Sequence, residues 1–193
     1  MARRVVVVPY DKQWKCDFEK IKQYILPSVE GLILGMEHVG STSVEGLWAK
    51  PIIDMDIVIK DYSVFEELKE KMAAIGYIHE CDLGIKDREA FDYRGETELP
   101  KHHLYVCPEF SAELRRHISF RDHLRSNPDD VILYSKVKEE GAKLFPDSID
   151  GYIAYKSPCI ERIYEKIGKY SGGHEKNDDN GAKIPRSRRP RDE

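Results

Sequence analysis

Two aspartates, Asp54 and Asp56, interrupt a nearly continuous aliphatic run from Ile52 to Ile59. Residues two apart on a strand project from the same face, and a run this apolar belongs to a strand covered on both sides. Two carboxylates held together in such surroundings repel each other unless a cation lies between them. Mg²⁺, a hard ion that favours carboxylates together with substrate phosphates, suits the pair. Upstream, Gly40 and Ser41 follow a shorter apolar stretch, and Thr42 and Ser43 continue it as GSTS. A glycine there lets backbone N–H groups approach a phosphate, and the hydroxyls add donors. Taken alone, GSTS also reads as an ordinary capped turn, and two acids near a strand end as exposed or lysine-paired groups. The combination of a phosphate-binding turn and a D-x-D strand describes metal-dependent phosphoryl or nucleotidyl transfer.

The elements that must position these residues follow from periodicity. Arg4 to Pro9 reads as a short valine-rich strand, and Trp14, Phe18, Ile21 and Ile25 mark a helix with Pro27 near its end. Ile33 to Val39 forms a strand leading into Gly40, and Ile52 to Ile59 the central one. Asp61 or Ser63 caps a helix through Leu68, Met72 and Ile75 that stops at Gly76. Tyr77 to Cys81 and Phe91 to Tyr93 are strand candidates around the polar loop Asp82 to Arg88. HHLYVC (His102 to Cys107) alternates as a strand, with His103 and Tyr105 on one face and His102, Leu104 and Val106 on the other; Pro108 ends it. The rest is helical: from Ser111, from Asn127-Pro128 to Phe145, and from Asp147 or Ser148 onward with a kink at Pro158. The layout is one α+β domain, residues 1–170, with a small mixed sheet, flanking helices and a helical C-terminal half. Residues 171–193 form a charged tail expected to be disordered.

Composition narrows the function classes. The chain has 193 residues, 40% hydrophobic and 34% charged, with a formal net charge of -4. That balance gives no global attraction to nucleic acid or anionic lipid, and no apolar run approaches the roughly 20 residues of a membrane span. A cytoplasmic protein is expected. Cys16, Cys81, Cys107 and Cys159 form no CxxC pair and read as reduced thiols. The basic segment KIPRSRRPR in the tail is nearly balanced by neighbouring acids, so RNA binding through it is a weaker reading than a solvated terminus.

Gly40-Ser41 followed by Asp54-Met55-Asp56 resembles the signature of the nucleotidyltransferase fold shared with polymerase beta. More narrowly, HVGSTSVEGLWAKPIIDMDIVI resembles the GrpB family, whose usual form is close to HIGSTSVPGLAAKPIIDIDVVV; Glu45 replaces a proline and Trp48 a small residue. The likeness continues through Arg88, HHLYV, Phe120-Arg121-Asp122-His123-Leu124-Arg125 and Tyr155-Lys156. It implies a nucleotidyltransferase-like core in which Asp54 and Asp56 ligate Mg²⁺, and Gly40, Ser41, Thr42 and Ser43 hold a nucleoside triphosphate. It further implies that Lys50, Arg88, Arg121 and Lys156 neutralise phosphate charge. In the superfamily a third carboxylate on a neighbouring strand activates the acceptor hydroxyl; HHLYV carries no acid. His103 stands in its place, either as a general base or as a structural histidine. Arg121 and Arg125, four apart with Asp122 adjacent, also read as a salt-bridged face. The function implied is transfer of a nucleotide from a triphosphate to an unspecified hydroxyl. The alternative is a non-catalytic module binding a nucleotide or a coenzyme A precursor, since GrpB-like domains occur fused to dephospho-coenzyme A kinase.

Overall fold

The computed structural model describes residues 4–171; of the tail expected at 171–193, Ser171 is the last residue of a helix and the rest lies outside the described residues. Helix α1 (Gln13–Val29) places Trp14, Phe18, Ile21, Ile25 and Val29 on one buried face, and Pro27 falls inside its last turn. Strand β1 (Gly35–Val39) then runs antiparallel to β2 (Ile53–Ile59), joined by a short 3₁₀ turn at Ser41–Ser43. Helix α2 (Phe65–Ala74) leads to β3 (Tyr77–His79), β4 (Glu89–Tyr93) and β5 (His102–Pro108). The five strands form one mixed sheet in the order β1-β2-β5-β4-β3, with only β2 and β5 parallel. Helices α3 (Ala112–Ser126), α4 (Pro128–Leu144) and α5 (Ile149–Ser171) make up the C-terminal half, as the sequence pattern predicts. Ser111 caps α3 by accepting from the Leu114 amide at 3.2 Å, and Pro128 begins α4.

Strand alternation sorts the sheet into two faces. Ile53, Met55, Ile57 and Ile59, with Leu104 and Val106, enter the main core against α1 and α2. Asp54 and Asp56 project from the opposite face, toward α3. A second core cluster joins Val44 and Leu47 to Leu124, Val131, Tyr134, Cys159 and Ile163 of α3–α5. It docks the helical half against the loop that follows Gly40. Among the described residues no helix is long and apolar enough to cross a membrane.

Three local expectations are corrected. Arg4 to Pro9 is not a strand: Val8 alone bridges Ala49, through bonds of 2.9 and 3.0 Å. On one side Pro51, opposite Val6, lacks the N–H that would extend the ladder; on the other, the Leu47 amide is spent on the Val44 carbonyl at 3.2 Å. Strand β3 stops at His79, because Cys81 turns into left-handed backbone at φ 61. Pro108 closes β5 from within, paired with Ile59, where an end before it was expected.

His38 on β1 faces the core. Its ring stacks on Phe18, centroids 4.7 Å apart, and its Nε2 lies 3.0 Å from the Thr42 hydroxyl. That hydroxyl donates to the Ile52 carbonyl at 3.4 Å and so accepts from His38. Burial depresses the imidazole to about 4. The unfolded chain takes up this proton near pH 6.5, while the native state refuses it until about 4. Stability is therefore complete above about pH 6.5 and falls as pH drops toward 4, by up to about 3 kcal/mol. Urea titrations from pH 8 to 4 should show this loss in the wild type and much less of it in His38→Gln. Parallel profiles would assign the acid sensitivity to other groups.

Candidate functional site

The turn after β1 is built onto the first aspartate. Gly40 has φ 67 and ψ -169, a conformation open essentially to glycine alone. A Cβ there would meet the Asp54 side chain, 2.8 Å from its Cβ and nearer still to its Oδ2. Ser43 donates to the Gly40 carbonyl at 2.7 Å, and the Ser43 carbonyl accepts from Arg125 at 2.9 and 3.2 Å. Thr42 and Ser43 are buried, and their hydroxyls hold the turn together. Gly40 and Ser41 are the parts of GSTS left to face a ligand.

The carboxylates share one arrangement. Asp54 and Asp56 each give one oxygen to a histidine. His103 Nδ1 donates to Asp54 Oδ1 at 2.9 Å, from the position directly beside it on β5. His117 Nδ1, from α3, donates to Asp56 Oδ2 at 2.7 Å. The other oxygens are uncommitted: Asp54 Oδ2 lies against Gly40, and Asp56 Oδ1 is buried without a partner. Burial works to raise the Asp54 carboxyl, but His103, His117 and Lys50 outweigh it and hold the group below the usual carboxylate range. In fully buried Asp56 burial prevails and the carboxyl is raised. Burial also opposes the charge on His117, yet its bonds to Asp56 and Glu113 lift it to about 9. At neutral pH an imidazolium is thus held between two carboxylates, Glu113 lying 3.4 Å from its Nε2.

An orphaned, buried carboxylate oxygen on the same strand face as a second free one fits a hard divalent ion. Among the described residues no group of three or more protein ligands converges on a metal, so water and phosphate oxygens would complete the shell, the usual habit of Mg²⁺. No acid lies beside the pair on β5, where His103 and Tyr105 face Asp54 and Asp56. A further carboxylate comes from α3 instead: Glu113, joined to Asp56 through His117. The Glu113-x-x-x-His117 spacing just after the Ser111 cap was its signal in the sequence.

The cations divide into groups. Lys50 and Lys156 act electrostatically on the turn region, Lys50 on Asp54 and both on Lys138. Arg121 is buried and committed to the fold. It pairs with Glu37 at 2.5 Å and Asp122 at 2.7 Å and donates to the His38 carbonyl at 3.2 Å, tying α3 to β1. Arg88 lies with its guanidinium 4.4 Å from the Tyr105 ring centre.

Lys138 is a residue that sequence reasoning missed. It is 3% exposed and donates to the Ser41 hydroxyl and to the Trp48 carbonyl, the latter at 2.9 Å. Burial pushes its ammonium well below the ordinary lysine range. Its signal was its place in the stripe Val131, Tyr134, Ser135, Lys138, Gly141, the buried side of α4. Lys138→Met keeps most of the side-chain volume and removes a desolvated amine, so stability should change by less than about 1.5 kcal/mol. Affinity for a triphosphate should fall at least tenfold, read by titration calorimetry; equal affinities would dissociate Lys138 from the ligand.

The arrangement defines a class. A mixed sheet with a Gly-Ser turn over a D-x-D strand and trailing helices is the nucleotidyltransferase-like α+β fold. The Cid1 poly(U) polymerase structure with MgGTP bound superposes with a TM-score of 0.51 over 70% of this chain and 44% of its own, at 9% identity, a likeness of fold alone. The chain belongs to the GrpB family, whose profile (GrpB protein) matches residues 4–166. The crystal structure of conserved protein GrpB from Enterococcus faecalis has a TM-score of 0.76 at 31% identity, covering 86% of this chain and 99% of that one. UPF0157 protein YqkA of Bacillus subtilis is 31% identical over 94% of this chain, which spans 52% of its length. A dephospho-CoA kinase of Mycolicibacterium paratuberculosis is 25% identical over 84% of this chain, which spans 46% of that protein.

Proposed function

We propose that the chain is a Mg²⁺-dependent nucleotidyltransferase that moves a nucleotidyl group from a nucleoside triphosphate to a hydroxyl acceptor. The observation that carries this reading is a pair of uncommitted carboxylate oxygens on one strand face: Asp54 Oδ2, against Gly40 of the turn, and Asp56 Oδ1, buried two residues further along β2. Bound there, the metal would polarise the phosphoryl oxygens and offset their negative charge. The turn receives the terminal phosphates, with Ser41 donating, Lys138 Nζ holding the Ser41 hydroxyl from behind, and Lys50 and Lys156 supplying positive charge. The acceptor oxygen forms a bond to the α-phosphorus while the bond to pyrophosphate breaks. With Nδ1 engaged by Asp54, His103 keeps Nε2 as the lone pair that takes the acceptor's proton, in the manner of a carboxylate-oriented imidazole. His117 and Glu113 hold Asp56 in place. The MgGTP in the Cid1 neighbour agrees with this choice of ligand.

A second reading is a module that binds a nucleotide or coenzyme A precursor without turnover. The absence of an acid beside Asp54 and Asp56 on β5, and the kinship with dephospho-CoA kinases, favour it. A thermal-shift screen of the four ribonucleoside triphosphates and dephospho-coenzyme A, with Mg²⁺ or with EDTA, tests the site. A Mg²⁺-dependent shift with a triphosphate, followed by pyrophosphate release when hydroxyl acceptors are added, is the expected result. A shift without pyrophosphate release from any acceptor would favour the binding module. No shift at all would remove both readings.

A further inference from the structure

Among the described residues Arg88 stands apart from the other buried cations, Arg121 and Lys138. It is only 9% exposed, its Nε is buried without a partner, and no carboxylate, carbonyl or hydroxyl of the described residues accepts from its guanidinium. Its guanidinium lies over the Tyr105 ring, 4.4 Å from the ring centre. Asp56 and Glu113 feel its charge without touching it. A buried guanidinium nitrogen is normally paired, because leaving it dry and unbonded is costly; in Arg88 that nitrogen is Nε, while the terminal nitrogens reach solvent. An arginine in this condition is the protein half of an ion pair.

Its position says which ligand group completes that pair. The phosphate-binding turn follows β1, whereas Arg88 precedes β4, and the sheet order sets β2 and β5 between those two strands. Tyr105, under the guanidinium, sits on β5 directly beside Asp56. With strands ~4.8 Å apart, the turn and the Tyr105 platform are separated by roughly 10 Å, and the carboxylate pair lies between them. In-line displacement brings the attacking hydroxyl to the α-phosphorus on the side away from the departing pyrophosphate. Pyrophosphate belongs to the turn with Ser41 and Lys138, so the acceptor comes from the side of Tyr105 and Arg88.

We propose that Arg88, stacked on Tyr105, is the recognition site for an anionic group on the acceptor, so that the acceptor is a hydroxyl compound carrying a phosphate or a carboxylate. A planar guanidinium with a free edge matches either anion bidentately. The inference rests on the transferase reading for the words donor and acceptor; the anion site itself rests on Arg88 alone.

Titration calorimetry with glycerol 3-phosphate, glycerate and glycerol, on wild type, Arg88→Met and Arg88→Lys, tests it. The wild type should bind one or both anions and not glycerol, and the tighter anion identifies phosphate or carboxylate as the group. Arg88→Met should lose at least tenfold in that affinity, with Arg88→Lys between. Because Arg88 has no partner to abandon, the melting temperature of Arg88→Met should hold or rise, whereas a structural arginine would lower it. The thermal shift given by MgATP should persist in Arg88→Met. Equal binding of glycerol and the anions, or anion binding unaltered in both variants, would overturn the proposal. So would a loss of the MgATP shift as large as the loss of anion binding, since Arg88 would then serve the nucleotide. If MgATP gives no shift in wild type while the anions bind through Arg88, the transferase reading fails and the anion site stands. If pyrophosphate is released to glycerol as readily as to the anions, the transferase reading stands and the acceptor inference fails.

Discussion

Asp54→Asn should cut nucleotidyl transfer by at least about 10³-fold, roughly 4 kcal/mol of transition-state stabilisation, while the protein keeps its fold. The carboxylate has two tasks, one per oxygen. Oδ1 accepts from His103 at 2.9 Å, and an asparagine oxygen can go on accepting there. Oδ2, against Gly40, becomes an NH₂ group that cannot ligate a cation. Loss of the negative charge also relieves the repulsion that Asp54 exerts on Asp56. Melting temperature should therefore move by only a few degrees while the Mg²⁺-dependent shift with triphosphate disappears. Full transfer in this variant would remove Asp54 from the chemistry and the metal reading with it.

Gly40→Ala should damage both stability and binding, through two causes that can be separated. Alanine at φ 67 and ψ -169 costs ~1–3 kcal/mol in backbone strain. The added methyl also overlaps the Asp54 side chain, so the turn and the carboxylate must move apart. Together these should lower stability by roughly 3 kcal/mol, about 10 °C in a chain of this size, and reduce affinity for Mg²⁺–triphosphate at least tenfold. Gly31 provides the comparison: it has φ 84 with nothing within 4 Å of an added Cβ. Gly31→Ala should carry the strain without the binding loss. Should the two variants lose triphosphate affinity equally, the close approach of Gly40 to Asp54 would have no functional weight.

The local pattern of the chain determined much of this. Period-two alternation put Asp54 and Asp56 on one face and His102 and His103 on opposite ones. His103 now meets Asp54, and His102 meets Tyr77 at 2.8 Å on the far side of the sheet. Cap and proline signals placed the starts of α3 and α4, because those rules act within a single turn of chain. The single extended bridge at Val8 was misread as a strand, since valine content reports the fit of side chains to a sheet and not the presence of a partner.

Tertiary structure decided what each charged side chain is for. Arg121 and Arg88 were alike in sequence as basic residues suited to phosphate. Packing gave Arg121 the Glu37 and Asp122 carboxylates and left Arg88 buried on Tyr105 with no acceptor. Lys138 looked like one more lysine in a charged helix until the α4 stripe carried it under the Ser41 hydroxyl. Glu113 and His117 joined the site only because α3 crosses the face of β2. In each case the deciding quantity is the desolvation of a charge and the partner found within about 3 Å. The Arg121–Asp122 pair was legible from adjacency, but the burial and the other partners arise only when distant segments close around the same point.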